Sequence, residues 1–157
     1  MADKQEHLRE QSLAEYLGRC HRLWRMVADA ELAPLGLTHP RWTALWKLRR
    51  MGDAISQKHL AESLEIELPS LMRTLGQLEE QGLVTRVNCE QDKRVRIVYL
   101  TEAGRQLITQ LESRIVAVRA ELLRDITAEQ LEIFETVLDQ ITSNAQRKLH
   151  QFKVLEE

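Results

Sequence analysis

Aromatic side chains are scarce in this chain: two Phe, two Tyr and three Trp among 157 residues, with only six Gly and three Pro. So few turn-formers, and no long Val- or Ile-rich runs, predict a mostly helical protein. The two cysteines, Cys20 and Cys89, lie far apart with no CxxC spacing. That argues against a disulfide framework or a zinc site and fits reduced thiols in a cytoplasmic setting. No apolar run approaches the roughly 18 residues that a membrane span requires. The N-terminal stretch Met-Ala-Asp-Lys-Gln-Glu-His is polar and has no apolar h-region, so no secretory signal is expected. There is no phosphate loop and no GxGxxG. His7, His21, His39, His59 and His150 are scattered without metal-ligand spacing, and Ser70 has no nearby His–Asp pair. Neither an enzymatic activity nor a cofactor or metal site is expected.

What is present is 43% apolar and 29% charged residues with a net charge of −2. Binding to an anion through bulk positive charge is thereby excluded, whereas a locally basic surface is not. Residues 1–37 carry 5 basic and 6 acidic groups, residues 38–100 carry 10 and 8, and residues 101–157 carry 7 and 10. Only the centre is basic, which singles it out as the segment that approaches an anion.

Leu13, Tyr16, Leu17, Cys20, Leu23, Trp24 and Val27 recur at helical spacing and predict a first helix over 12–33, ended by Pro34 and Gly36. Thr38 as N-cap and Pro40 in the first turn predict a second, carrying Trp42, Leu45, Trp46 and Leu48 and stopping at Gly52. Ser56 caps a third over 57–64, and a fourth spans 69–81, with Leu71, Leu75 and Leu78 inward and Gly82 at its C-terminus. The period then changes to two. Residues 83–88 and 95–100 read as strands of a hairpin whose tip is Glu90-Gln91-Asp92-Lys93-Arg94. A long helix from Thr101 to about residue 124 carries Leu107, Leu111, Ile115, Val118 and Leu122. After the capping-box pattern Thr127-Ala128-Glu129-Gln130, a last helix places Leu131, Phe134, Leu138, Ile141, Ala145, Leu149 and Phe152 on a near-heptad stripe.

Three helices followed by a hairpin form a winged helix-turn-helix, over residues 38–100. Its third helix enters the DNA major groove, and the hairpin lies on the backbone or in the minor groove. The polar face of that helix displays Ser70, Arg73, Thr74 and Gln77, preceded by Pro69. Arg can pair with guanine, Gln with adenine, and Ser with phosphate or base. The wing supplies Asp92, Lys93 and Arg94, and an Arg there suits a narrow minor groove. Glu67, Glu79 and Glu80 oppose phosphate contact and are expected at the helix ends. The alternative is a solvated helix face and an ordinary charged hairpin.

Residues 56–104 resemble the winged-helix core of MarR-type transcriptional regulators. The stretches that carry the resemblance are 57–62 (QKHLAE), 68–75 (LPSLMRTL), 78–86 (LEEQGLVTR), the wing Asp92-Lys93-Arg94 as an Asp-x-Arg signature, and Leu100-Thr101-Glu102-Ala103-Gly104. Arg22-Leu23-Trp24-Arg25 and Leu35-Gly36-Leu37-Thr38 with Trp42 are similar to the SlyA branch. The resemblance implies a homodimer that binds a palindromic double-stranded DNA operator, with a helical dimerisation domain formed by residues 1–37 and 101–157. It also implies an aspartate that positions the wing arginine. Leu13, Leu17, Leu131, Phe134, Leu138 and Ile141 are the expected interface residues, the alternative being an intramolecular helical hairpin.

Two effector readings remain open. In MarR relatives small aromatic carboxylates such as salicylate bind between the dimerisation and DNA-binding parts. Arg19 and Arg22 could pair with a carboxylate, and Trp42 and Trp46 could stack on a ring. The same arginines could equally form intersubunit salt bridges, and the tryptophans fill the core. Some relatives sense peroxide through a first-helix cysteine. Cys20, one turn from Tyr16, fits that role, but its place in the apolar stripe favours a small buried hydrophobe. A third class is a protein-interaction adaptor that does not bind DNA, which salt dependence on duplex DNA distinguishes.

Overall fold

In a computed structural model, residues 2–52 and 54–156 are described, and their side chains from residue 12 onward. Six α-helices and a small antiparallel sheet are found among them: α1 Ala2–Leu32, α2 His39–Met51, β1 Ile55–Ser56, α3 Gln57–Leu64, α4 Leu68–Glu80, β2 Val84–Asn88, β3 Arg96–Leu100, α5 Glu102–Leu122 and α6 Ala128–Leu155. The mainly helical architecture with a hairpin is the one the periodicity predicts. The helix α1 begins ten residues earlier than the apolar stripe indicated. A 3₁₀ turn, Ala33–Leu35, separates it from α2 and closes with Gly36 at φ 73°. The two-residue strand β1 was not foreseen. It pairs with β3 through Ile55 with Val98 and Ser56 with Ile97, so the sheet order is β1-β3-β2.

Local chemistry explains the boundaries. The Ser56 hydroxyl accepts the His59 N–H at 3.1 Å and opens α3. Glu65 takes a left-handed conformation, φ 56°, and the Ile66 N–H returns to the Ala61 carbonyl, giving a tight turn between α3 and α4. At the end of α4 the Gly82 N–H donates to Glu79 O and the Leu83 N–H to Leu78 O, a Schellman arrangement with Gly82 at φ 74°. In α6, Thr127 and Gln130 exchange side-chain-to-backbone hydrogen bonds at 3.1 and 3.0 Å, so the capping box is formed. Thr38 begins α2 with its carbonyl, which accepts from Trp42 N, and not with its side chain.

The chain forms two compact units, residues 1–122 and 123–157. The first has one core. Leu45 and Leu48 of α2, Leu60 of α3, Leu71, Leu75 and Leu78 of α4, Val84 and Val98 of the sheet, and Ile108 and Leu111 of α5 are all fully buried in it. Burying each such side chain contributes about 1.5–3 kcal/mol. The three leucines of α4, at i, i+4 and i+7, fix which face of that helix stays outside. The second unit is α6, which has no buried residue: Leu131 and Leu138 are half-buried, while Phe134, Ile141, Leu149 and Phe152 are exposed.

Candidate nucleic-acid interface

The burial of Leu71, Leu75 and Leu78 leaves Pro69, Ser70 and Arg73 of α4 exposed and Gln77 half-exposed. Ser70 and Gln77 stand two turns apart on one face with Arg73 between them. Arg73 makes no hydrogen bond or ion pair among the described residues, so its guanidinium is available to a ligand. Thr74, expected beside it, lies instead on the inner face. It is 7% exposed and its hydroxyl donates to the Ser70 carbonyl at 3.2 Å. Position 74 falls between Leu71 and Leu78 in the i, i+3, i+4, i+7 series and is carried inward with them. Gln77 accepts a hydrogen bond at 3.2 Å from the Nε of Arg41, a residue of α2 that the sequence reading did not single out.

The wing is built on the β2–β3 register. Val84 pairs with Leu100, Arg86 with Val98 and Asn88 with Arg96, so these side chains share one face of the sheet. Val84, Val98 and Leu100 are buried there, which directs Arg86 and Arg96 toward α4. Arg86 donates from Nη1 to Gln57 Oε1 at 3.2 Å and from Nη2 to Glu79 Oε1 at 3.4 Å, and its backbone N–H donates to Glu79 Oε2 at 3.1 Å. The Arg86 hydrogen bonds hold the Glu79 carboxyl below its ordinary range, with the charge of Arg96 adding to them. Glu79 is thus engaged by the wing, and its negative charge is neutralised near the end of α4. Period-two alternation along 84–88 already places Arg86 on the face of Val84; only the packing shows that α4 meets it.

Past Cys89, whose N–H donates to Val95 O at 2.8 Å, the tip turns back with Val95 N bonded to Asp92 O. Asp92 Oδ1 accepts from both the backbone N and the Nε of Arg94 at 3.1 Å, and Oδ2 accepts from Nη2 at 3.3 Å. These bonds, the side-chain one foremost, keep the Asp92 carboxyl low. The Arg94 side chain is 91% exposed. An ion pair this exposed adds little stability; its effect is to hold the arginine in one direction. Lys93 is exposed next to it.

A cavity of about 700 Å³ lies within the first unit, lined by Trp24, Trp42 and Trp46 with Lys47, Arg50 and Arg119. Trp42 and Trp46 line it as one group, and Trp24 joins them. Arg19 and Arg22 are not among the lining residues. Trp24, Ala28 and Leu32 present one face of α1 to the cavity, and positions 19 and 22 lie about 140° and 160° around the helix from Trp24. Arg22 folds back instead toward Gly18. The cations at the cavity wall come from α2 and α5. One wall is tied to α1 by Asp29, whose Oδ1 accepts from Trp42 Nε1 and from His39 Nδ1, each at 2.8 Å. Cys20 is exposed, contrary to its expected burial, as are Tyr16 and Leu13.

A helix held by its leucines with a cationic polar face outward, followed by a hairpin that carries a braced arginine, defines a winged-helix transcriptional regulator. Residues 37–95 match the model of the MarR family. Transcriptional regulator PA3341 is 34% identical, with 86% of this chain and 98% of that chain covered and a TM-score of 0.79. The chain belongs to the MarR family. Its fold is also that of a mutant MarR from E. coli complexed with operator DNA, at 24% identity, 83% and 93% coverage and a TM-score of 0.76. CouR from Rhodococcus jostii bound to p-coumaroyl-CoA is similar at 22% identity, 85% and 89% coverage and a TM-score of 0.69. Among the described residues, no helix is long and apolar enough to cross a membrane.

Burial alone would raise the pKa of Asp29, but the hydrogen bonds from Trp42 and His39, with the charges of His39 and Arg25, outweigh it and hold the carboxyl below its ordinary value of 3.8. A folded value below the unfolded one gives stability that is present above the ordinary range and is lost as pH falls through the folded value. Asp29→Ala should therefore cost about 1–2 kcal/mol at neutral pH, and the gap from wild type should shrink below pH 3.8. Urea unfolding across a pH series checks this; a gap constant with pH would contradict it.

Proposed function

We propose that the chain acts as a homodimer on a palindromic double-stranded DNA operator, with α4 in the major groove and the wing on the minor groove and its phosphates. The observation that carries this reading is the pairing, on one compact unit, of the outward Ser70–Arg73–Gln77 face with an Arg94 that Asp92 braces outward. Pro69 at the start of α4 and Lys93 at the wing tip complete the contact set. The negative net charge agrees with a protein whose affinity is local to this surface.

Apolar surface supports the dimer. Leu13 of α1 is 56% exposed, and Phe134 and Ile141 of α6 are 49% and 40% exposed. With the half-buried Leu17, Leu131 and Leu138 they form stripes on the terminal helices that a second copy would cover. For effector control, the tryptophan-lined cavity suits a small aromatic carboxylate. Its acid group would meet Arg50 or Arg119, and its ring would stack on Trp42 or Trp46. A protein with this fold is complexed with p-coumaroyl-CoA, whose aromatic acyl group is a thioester; that complex supports the aromatic ring of the ligand and not its free carboxylate.

Arg73→Ala should cost about 1–3 kcal/mol on the operator and relax specificity at the base it reads. Arg94→Ala should weaken operator and random duplex more evenly and reduce the salt slope by about one. Salt titrations of both variants on both duplexes check this; an Arg94→Ala protein that binds as wild type would remove the wing from the interface.

Replacing Leu138 and Ile141 together with Asp should give monomers that no longer bind operator, since each buried apolar side chain is worth roughly 1.5–3 kcal/mol. Sedimentation at micromolar concentration reads the assembly; a monomeric wild type would refute the dimer.

Millimolar salicylate should weaken operator binding, and Arg50→Ala or Arg119→Ala should blunt that response. By linkage, such a ligand prefers the DNA-free conformation. An unchanged operator titration would eliminate this mechanism.

A further inference from the structure

Resting on the operator-binding reading above, we propose that Arg41 of α2 is a positioning residue for base recognition. It turns the Gln77 amide so that Gln77 reads guanine in the major groove and rejects adenine. The contact is Arg41 Nε to Gln77 Oε1 at 3.2 Å. A guanidinium has only donors, so only the amide oxygen can face it, and the chemistry of the pair fixes which way the amide lies. The Nε2 group, with its two N–H donors, is then the end left for a ligand.

Pairing with adenine needs both ends of a glutamine amide: the oxygen accepts from N6 and the nitrogen donates to N7. Here the oxygen already accepts from a cation. The positive charge held beside that oxygen opposes the approach of another donor. Guanine presents only acceptors, N7 and O6, on its major-groove edge and asks nothing of Oε1. The helix supplies the placement, because Gln77 shares its face with Ser70 and Arg73. Arg41 is half-buried and has no acidic partner among the described residues, unlike Arg86, which Glu79 holds, and Arg94, which Asp92 holds. No carboxylate therefore draws it away from Gln77.

The test is selection of bound duplexes from a random pool by the full chain as wild type, Gln77→Ala, Arg41→Ala and Arg41→Lys. The position where Gln77→Ala loses preference identifies the base pair that Gln77 reads. There the wild type should enrich guanine over adenine by roughly five-fold or more, the scale of one net hydrogen bond. Arg41→Ala should bring adenine to within about two-fold of guanine at that position and leave the other positions unchanged, a pattern that a general loss of stability would not produce. Arg41→Lys, which can still donate to Oε1, should keep part of the preference. Arg41→Met retains the alkyl stem and carries the test if Arg41→Ala fails to fold. Adenine preference in the wild type, no position altered by Gln77→Ala, or an unchanged guanine preference in the Arg41 variants would each overturn the inference. A pool that the wild type does not enrich at all would overturn the operator reading, and this inference with it.

Discussion

One threonine hydroxyl, used twice, holds the winged helix in register. Thr101 Oγ1 donates to the Gly82 carbonyl at 2.6 Å and accepts from the Gly104 N–H at 3.0 Å, while the Thr101 N–H donates to Leu83 O. Those few atoms join the end of α4, the end of β3 and the start of α5. The backbone comes so close that a Cβ on Gly104 would overlap the Leu83 carbonyl, so the position admits only glycine without rearrangement. The orientation of α4 relative to the wing, and of both to α5, follows from this junction. The sequence stretch Leu100-Thr101-Glu102-Ala103-Gly104 is its chemical record.

Arginines in this chain fall into two groups according to whether an acid is within reach. Arg49 meets Glu112 at 3.4 Å, Arg86 meets Glu79 at 3.4 Å and Arg114 reaches toward Glu31 at 3.9 Å. These tie elements of the first unit to one another. Arg73 and Arg41 have no acidic partner among the described residues, and Arg94 is paired only within its own turn, on the outside. A chain of net charge −2 can therefore present cations to an anion, with Glu79 occupied and Glu67 and Glu80 at the two ends of α4. Glu79 shows this most directly: it stands on α4, yet its charge is taken up by Arg86.

Asp29 joins the cavity to the same framework. Its carboxylate receives the indole N–H of a tryptophan that lines the cavity and the ring N–H of His39, which packs edge-on against that tryptophan at 5.2 Å between centroids. Trp42 is therefore both wall and tether. A ligand that moved it would strain the link between α1 and the first turn of α2, the helix that also carries Arg41. A single helix of 13 residues thus holds both the cavity wall and the group bonded to Gln77.

Much of this was legible in the order of residues. The helices α2 to α6, their caps at Ser56 and Thr127, the turn at Gly82 and the two wing strands follow from periodicity and capping chemistry, which are local. The Asp92–Arg94 brace was implied by the family resemblance, and the spacing of two residues lets the pair form within one turn. What the order of residues could not decide was which side chains meet across elements. Thr74 turned inward because the leucines of α4 found a core. The cavity took its cations from α2 and α5 because α1 is rotated to present Trp24, Ala28 and Leu32. Arg41 meets Gln77 across 36 positions, and Arg86 meets Gln57 across 29. By itself the sequence determined the family and every α-helix and strand but β1 and the first turns of α1. Tertiary packing decided the borderline positions, such as Thr74, and the partners across elements, because it sets which neighbouring helix or strand each face meets and hence which charged groups remain free.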